Sequence, residues 1–415
     1  MSGVSPLRSV LPKLRRLVRQ GFRAVKYLCY RLFLLLPIDP YLAVYTAYWG
    51  RGYRCNPAAI YEKARDLAPR VRGVWVVTKE AAATMPEDVS YVVEETLQYF
   101  WIMARGAFFI GNVNFADYVL KRRGSVHVQT HHGTPLKLMG VDSFIHAGRK
   151  GEGGEELLRR VSRWDFSVAA NRHSTEAWST AYPGTFESLE VGYPRNDILV
   201  NASPEHGERV RAALGVAPGQ RVILYTPTHR GSTANRFAGH LDVAALAEAL
   251  GPDTTILLRT HYFYESPAQG PATDSAQVVD VTAYPVVEDL YLAADVLVTD
   301  YSSTMFDYAI LDRPIVVFAS DWEQYRTKRG VYFDIFDQSP GVVVTTQAEL
   351  VERFLTGSVD DEAARRARTS FRNRFCALED GRASERIVRR VLLGEQTALA
   401  AQPVPAAAAT LATQR

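Results

Sequence analysis

Beyond Asp39 the chain alternates short apolar, β-branched runs with stretches of helical period. Val74–Val77, Tyr91–Val93, Phe108–Ile110, Val126–Gln129 and Phe166–Ala169 read as strands. After a polar break near Asn201–Glu208 the pattern restarts with Val222–Tyr225, Thr255–Leu258, Val278–Asp280, Val296–Thr299 and Ile315–Phe318. Helical patterns separate most of these runs, at 241–250, 286–293, 303–311 and 359–375. Strands alternating with helices, twice over, predict two parallel-sheet α/β units. The expected division is an N-terminal segment 1–40, a first unit 41–205, a second unit 206–395 and a tail 396–415. That tail is Ala-rich with Pro and reads as disordered. No internal sequence repeat links the two halves.

The N-terminal segment has a pattern of its own. Leu14, Leu17, Val18, Val25 and Leu28 recur at helical spacing, with Lys and Arg between them. The apolar run Leu32–Leu36 stops at Pro37, far short of the ~20 residues that span a bilayer. No small-residue cleavage site follows it, so a signal peptide is not expected. Residues 1–31 carry eight Lys or Arg and no acid; with the whole chain at +3, this leaves the remainder at −5. A basic amphipathic helix of this kind suits an anionic membrane surface, which residues 1–36 are expected to meet. The bland alternative is a helix packed on its own domain with a solvated charged face. Nucleic acid is set aside, because the charge is confined to one end and no binding motif accompanies it.

Composition narrows the class further. With 415 residues, 47% of them hydrophobic and 22% charged, the chain can fill a core in each unit, which excludes a disordered polymer. Cys29, Cys55 and Cys376 are too few and too scattered for a disulfide scaffold or a metal-ligand motif, and read as a reduced set.

Paired α/β units usually hold ligands between them, beyond the carboxyl ends of the strands. Four polar clusters stand there. Gln129-Thr130-His131-His132-Gly133-Thr134-Pro135 follows one strand, and a loop histidine can take a proton from a hydroxyl near neutral pH. Loop histidines satisfied by backbone groups are the plain alternative; the strand-then-His-Gly-Thr-Pro context favours His132 as functional. Tyr225-Thr226-Pro227-Thr228-His229-Arg230-Gly231 combines hydroxyls and a cation suited to phosphate, although turn chemistry explains its Pro and Gly equally well. Arg259 and His261 lie at the end of a buried strand, where Arg259 serves either a ligand phosphate or an ion pair with an acid such as Asp280. Thr299-Asp300-Tyr301-Ser302-Ser303-Thr304 runs into an apolar helix that includes Asp307, and its hydroxyls exceed what a helix cap requires. There is no GxxxxGK[ST] loop, no GxSxG elbow and no D-x-D pair; the only glutamates between 280 and 335 are Glu288 and Glu323, so no E-x7-E motif is present.

Taken together, these segments resemble the CDP-glycerol glycerophosphotransferase family of teichoic-acid primases and polymerases. The resemblance rests on NPAAIYEKA (56–64), QTHHGTPLKLMG (129–140), GYPRNDIL (192–199), YTPTHRG (225–231), LLRTHYF (257–263), VTDYSSTMFDYAILDRPIVVF (298–318) with YFDI (332–335), and DGRASERI (380–387). The segments keep their order over about residues 45–390. Many relatives carry Trp where His131 and His229 stand. The resemblance implies a GT-B architecture, two Rossmann-like domains facing across a cleft, the first an acceptor domain and the second holding the CDP-polyol. It implies transfer of glycerol phosphate from CDP-glycerol to a hydroxyl of a lipid-linked acceptor, releasing CMP, by a peripheral enzyme on the cytoplasmic face of the cell membrane. His132 and His261 are then the expected catalytic residues, with Arg259, Ser302, Ser303, Thr304, Thr228 and Asp300 on the donor. His131, Thr134, Arg195, Asn196, Asp197 and Asp307 fall on the acceptor side or in support. No metal or other cofactor is indicated. CDP-ribitol as donor, or a sugar nucleotide on the same scaffold, is the alternative. The sequence leaves homo-oligomerisation open.

Overall fold

A computed structural model describes residues 25–149, 153–228, 241–260 and 278–396. His229, Arg230, His261 and the disordered tail expected from Thr397 onward lie outside the described residues, as does the head up to residue 24.

Among the described residues thirteen strands form two sheets. The first holds β1 (Asp39–Thr46), β2 (Arg72–Val77), β3 (Tyr91–Val93), β4 (Gly106–Gly111), β5 (Val126–Gln129), β6 (Phe166–Ala169) and β7 (Glu187–Glu190). The second holds β8 (Arg221–Thr226), β9 (Thr254–Leu258), β10 (Val278–Asp280), β11 (Val296–Thr299), β12 (Ile315–Phe318) and β13 (Val342–Val344). Their orders are β3-β2-β1-β4-β5-β6-β7 and β10-β9-β8-β11-β12-β13, with the paired strands parallel. Both are doubly wound, so each has a switch point, between β1 and β4 in one sheet and between β8 and β11 in the other. The loops leaving those four strands converge at the site.

All ten strands expected from the apolar runs are present, and three more appear. β1, an interior strand of the first sheet, begins with Asp39-Pro40, which hides the buried run Leu42–Tyr45 behind a turn signal. β7 (ESLE) is an edge strand in which only Leu189 is buried, so no apolar alternation announces it. Burial on both faces explains why the others read as continuous apolar runs: the second sheet separates two apolar clusters, with Leu224, Leu257, Leu297 and Val317 on one side and Ile223, Ile256, Val298 and Val316 on the other.

Residues 25–33 are helical. Tyr30 is 2% exposed and packs, with Tyr27 and Phe33, against Phe100 and Met103 of the first unit. Its hydroxyl accepts from Leu120 N–H at 3.1 Å. Val25, Leu28, Leu32 and Leu35 face outward, 54–82% exposed. The described part of the head is therefore docked by an aromatic face, while Val25 and Leu28 of the aliphatic series point away; Leu14, Leu17 and Val18 lie outside the described residues. No described helix is long and apolar enough to cross a membrane.

Several junctions join the units. Lys137 and Val331 form an antiparallel bridge, with Tyr332 N–H donating to Leu136 O at 2.8 Å. Arg195 pairs with Asp307. The chain also returns at its end: Ile387, Val388, Val391 and Leu392 are buried in the core of the first unit. The division at 206–395 assigned that segment to the second unit. Asp197 explains the return, because its carboxylate accepts from Ala383 and Ser384 N–H at 2.9 and 2.8 Å and caps the helix Ala383–Ile387.

Candidate functional site between the two switch points

Tyr48 follows β1, Asn112 follows β4 and His131-His132 follow β5, so three adjacent strand ends meet at one place. Tyr48 N–H donates to Asn112 Oδ1 at 2.8 Å, tying the first two together. Asn112 O lies 3.2 Å from His132 Nδ1, and the Tyr48 ring meets the imidazole edge-on at 5.5 Å. A carbonyl oxygen can only accept, so Nδ1 carries the proton and Nε2 keeps its lone pair. His132 keeps an exposed surface while Asn112 and Tyr48 cover part of its ring. That loss of bulk solvent, together with the positive charges of Arg195 and Lys137, holds its pKa below the ordinary histidine value. The result is a neutral imidazole with a free nitrogen, the state a general base requires.

His131 is a different kind of histidine. It is 6% exposed, stacks on Trp178 with ring centroids 4.2 Å apart, and contacts Ser167 Oγ through Nε2 at 2.9 Å. Burial first, and then its neighbour His132, lower its pKa far below the usual range. It supports the loop from behind as an aromatic plate. The same burial removes it as a substitute base. Thr134 is likewise internal, its hydroxyl accepting from Asn171 Nδ2 at 3.2 Å.

Asn56, absent from the expected site, organises the first unit's loops. Its amide donates to Thr130 O at 2.9 Å and His131 O at 3.0 Å, and its Oδ1 accepts from Arg195 N–H at 3.1 Å. Its signal was present in the NPAAIYEKA match. Asn112 was accessible to the strand-end criterion, as the first residue after β4.

Gly133 has φ +155°, and a Cβ there would stand 2.7 Å from Ser303 Oγ. The His-Gly-Thr-Pro loop of the first unit therefore touches the Ser-Ser loop of the second. Ser303 occupies the N-cap position of Thr304–Tyr308 without capping through its side chain; Ser302 Oγ accepts from Thr304 N–H at 3.3 Å. The helix expected to Leu311 has five α-helical residues and ends in a 3₁₀ turn, Ala309–Leu311. Two donor-side expectations change here. Thr304 Oγ1 is engaged with Thr226 and Thr299 hydroxyls at 2.9 and 3.2 Å. Asp300 accepts from Thr228 N–H, from the Thr228 hydroxyl and from Tyr301 N–H, and a carboxylate repels phosphate. Both residues shape the loop that presents Thr228 and Ser303.

Arg259 donates through Nη1 to Tyr284 O at 2.7 Å and Val281 O at 3.2 Å, so the alternative pair with Asp280 does not form. Arg195 is 8% exposed and pairs with Asp307, while its Nε stands 3.7 Å from Glu288. Asn196 bridges Asp307 and Glu379, at 3.1 Å to each. Asn196, Asp197 and Asp307 thus hold the units together rather than line an acceptor surface. A cavity of about 310 Å³ opens between the units, lined by Tyr48, Arg51, Arg54 and Cys55 on one side and by Arg259, Pro285, Val287 and Glu288 on the other, with Arg195 on its wall. Among the described residues no group of three His, Cys, Asp or Glu side chains comes together as a metal site.

Comparison with known proteins gives the family and the fold. The teichoic acid glycerol-phosphate transferase of Staphylococcus aureus is 33% identical over 380 residues, covering 88% of this chain and 96% of its own length. The teichoic acid poly(glycerol phosphate) polymerase of Bacillus subtilis is 31% identical over 404 residues; these cover 94% of this chain and 53% of the polymerase, so the chain spans about half of that relative. A structure of the wall teichoic acid polymerase TagF, a histidine-to-asparagine variant soaked with CDPG, superposes with a TM-score of 0.78 at 30% identity, over 91% of this chain and 96% of that one. Residues 28–393 match the model of CDP-glycerol:poly(glycerophosphate) glycerophosphotransferases. With that match spanning both sheets and the site between them, the chain belongs to the CDP-glycerol:poly(glycerophosphate) glycerophosphotransferase family, a family of transferases with a GT-B-like fold.

Proposed function

We propose that the chain transfers glycerol phosphate from CDP-glycerol to a hydroxyl of a lipid-linked acceptor and releases CMP, in the synthesis of a teichoic-acid-like polymer. The observation that carries this reading is His132, neutral and exposed, with Nδ1–H held by Asn112 O, beside Gly133, which meets Ser303 of the second unit. In the proposed step the acceptor hydroxyl gives its proton to His132 Nε2 as its oxygen bonds to the phosphorus that carries glycerol. The bond from that phosphorus to the bridging oxygen breaks, and CMP leaves with the bridging oxygen. Phosphoryl transfer depends mainly on positioning and charge stabilisation, which Arg259, Thr228, Ser302 and Ser303 are suited to supply. His261, assigned from the sequence to the phosphate or the departing CMP, lies outside the described residues. Glycerol is preferred to ribitol because the two curated relatives above are glycerol-phosphate enzymes by name.

The same reading places the enzyme at the cytoplasmic face of a membrane, reached through the basic head and the outward Val25, Leu28, Leu32 and Leu35. The test is incubation with CDP-glycerol or CDP-ribitol and a lipid-linked disaccharide acceptor, followed by mass analysis. Addition of glycerol phosphate with stoichiometric CMP is expected. Release of a nucleoside diphosphate from a sugar nucleotide instead would make it a glycosyltransferase.

A further inference from the structure

A second cavity, of about 670 Å³ against about 310 Å³ for the one between the units, lies outside the site described above. It is a groove on the second unit, between the start of β13, the segment 336–341 that precedes it and the helix Glu362–Phe375. β13 is the edge strand of its sheet, so the groove opens at that edge, away from the switch point between β8 and β11. Ala363, Ala367 and Ser370 share the helix face that lines it, and their small side chains leave the space open.

The helix carries Arg365, Arg366, Arg368, Arg372 and Arg374. Arg365 and Arg368 pair with Asp360, Arg366 with Glu362 and Arg372 with Asp312. Arg374 pairs with no carboxylate among the described residues. Its guanidinium lines the groove and lies over the Phe375 and Phe333 rings, 5.1 and 5.9 Å from their centroids. Gln338, on the same lining, has its Oε1 buried without a hydrogen-bond partner, and turning the amide toward a hydroxyl donor in the groove would satisfy it. Asp337 and Asp361 also line the groove. Their charge disfavours a compact anion such as a diphosphate, while their oxygens can accept from hydroxyl groups. The ligand that fits has single negative charges separated by hydroxyl-bearing carbon, as in polyol phosphates joined through phosphodiesters. The volume favours a chain of units, because one glycerol phosphate would leave most of the groove empty.

One end of the groove adjoins the first unit. Phe375 O accepts from Asn171 Nδ2 at 2.8 Å, and the Phe375 ring meets His173 edge-on at 5.3 Å. His173 Nε2 lies 2.8 Å from Pro135 O, in the loop that carries His132. A chain lying along the helix is held close to that loop.

We propose that this groove binds a poly(polyol phosphate) chain, with a phosphodiester at Arg374 and hydroxyls at Gln338 and Asp337, and so keeps a lengthening acceptor on the enzyme between additions. This rests on the proposed reaction, whose product carries such units; the groove is separate from the cleft where that reaction is placed.

The test uses the full chain with Arg374→Gln, Arg374→Lys and Ala367→Phe, the last filling the groove from a partly exposed position. Binding of a synthetic glycerol-phosphate oligomer, of monomeric glycerol phosphate and of inorganic phosphate is measured by calorimetry, and KM is measured for a short and a long acceptor. Arg374→Gln and Ala367→Phe should weaken oligomer binding about tenfold and raise the KM of the long acceptor, with Arg374→Lys recovering most of the loss. The short acceptor, kcat and CDP-glycerol binding should stay as in wild type. Inorganic phosphate bound as tightly as the oligomer would overturn the assignment to a polyol phosphate. If the wild type binds the oligomer through Arg374 yet does not turn over CDP-glycerol, the groove stands and the proposed reaction falls. Unchanged oligomer affinity in Arg374→Gln and Ala367→Phe, both shown to be folded by their melting temperatures, overturns the proposal.

Discussion

Arg195 of the first unit and Asp307 of the second form an ion pair whose side chains are only 7% and 2% exposed. The same arginine meets Glu288 at 3.7 Å and takes its backbone position from Asn56. One residue thus connects the loop behind His132 to the helix beneath Ser303. Breaking a buried pair by removing one partner leaves an uncompensated charge, at a cost of about 3–5 kcal/mol. Arg195→Ala should therefore lower stability by that order in denaturant titration. Replacing both residues by apolar ones of similar size should cost less than Arg195→Ala alone.

Gly133 and Ser303 make the second contact between the loops. Gly133→Ala would force a methyl group against Ser303 Oγ, and at φ +155° the backbone cannot adjust without strain. Overpacking of this kind costs about 1–3 kcal/mol. A lower melting temperature and slower turnover are expected, and a crystal structure of the variant should show the two loops separated.

The strand ends that hold Gly133 and Ser303 were readable from apolar runs because parallel strands buried on both faces contain little else. β1 was not, since Pro40 and Asp39 mimic a turn at the start of this interior strand. In the site, His132 stood out by its position after β5, and Ser303 by its position after β11. The His-Gly-Thr-Pro context favoured His132 over His131, but the physical difference between these neighbours was not legible: His131 stacks on Trp178 as a packing ring, and the Asn112 carbonyl holds Nδ1–H of His132, the proposed base. For Asn196, Asp197 and Asp307 the matched motif left the acceptor side and a supporting role equally open. Their partners are one another, Arg195, Glu379 and the Ala383–Ile387 helix, all distant in sequence.

Glu379 gives a pH-dependent prediction. It is buried, and burial raises its pKa to about 8, with Asp307 and Asp197 adding to the effect against the bonds from Asn196 and Tyr193 N–H. A carboxyl group raised in the folded state binds its proton more tightly there than in the unfolded chain. Stability should then fall as pH rises from the ordinary carboxyl range, about 4.5, to about 8. Glu379→Gln keeps an oxygen acceptor without a titrating charge, so its stability relative to wild type should increase steadily across that window. Parallel curves for the two proteins in pH-dependent melts would refute this account.

The head should be tested by substitution rather than by deletion to residue 36. Removing Tyr30 would expose core, and Leu36 O accepts from Arg122 Nη2 at 2.8 Å. Leu28→Asp combined with Leu32→Asp changes only outward positions. Sedimentation with anionic vesicles should decrease in this variant while its melting temperature stays unchanged. Retained vesicle binding would assign membrane contact, if any, to another surface.

His132 carries the central claim. Its lowered pKa keeps it neutral into mildly acidic conditions, so the acidic limb of kcat/KM should fall below the ordinary histidine value of about 6.5. The most direct measurement is the single-turnover rate of CMP release for His132→Ala at saturating CDP-glycerol and acceptor, with donor affinity measured in parallel by calorimetry. A positioned base is worth about 10²–10⁴-fold, so the rate should fall by that factor while CDP-glycerol binds as in wild type. A near-wild-type rate, with chemistry shown to be the slow step, would contradict the account and require another residue to take the proton.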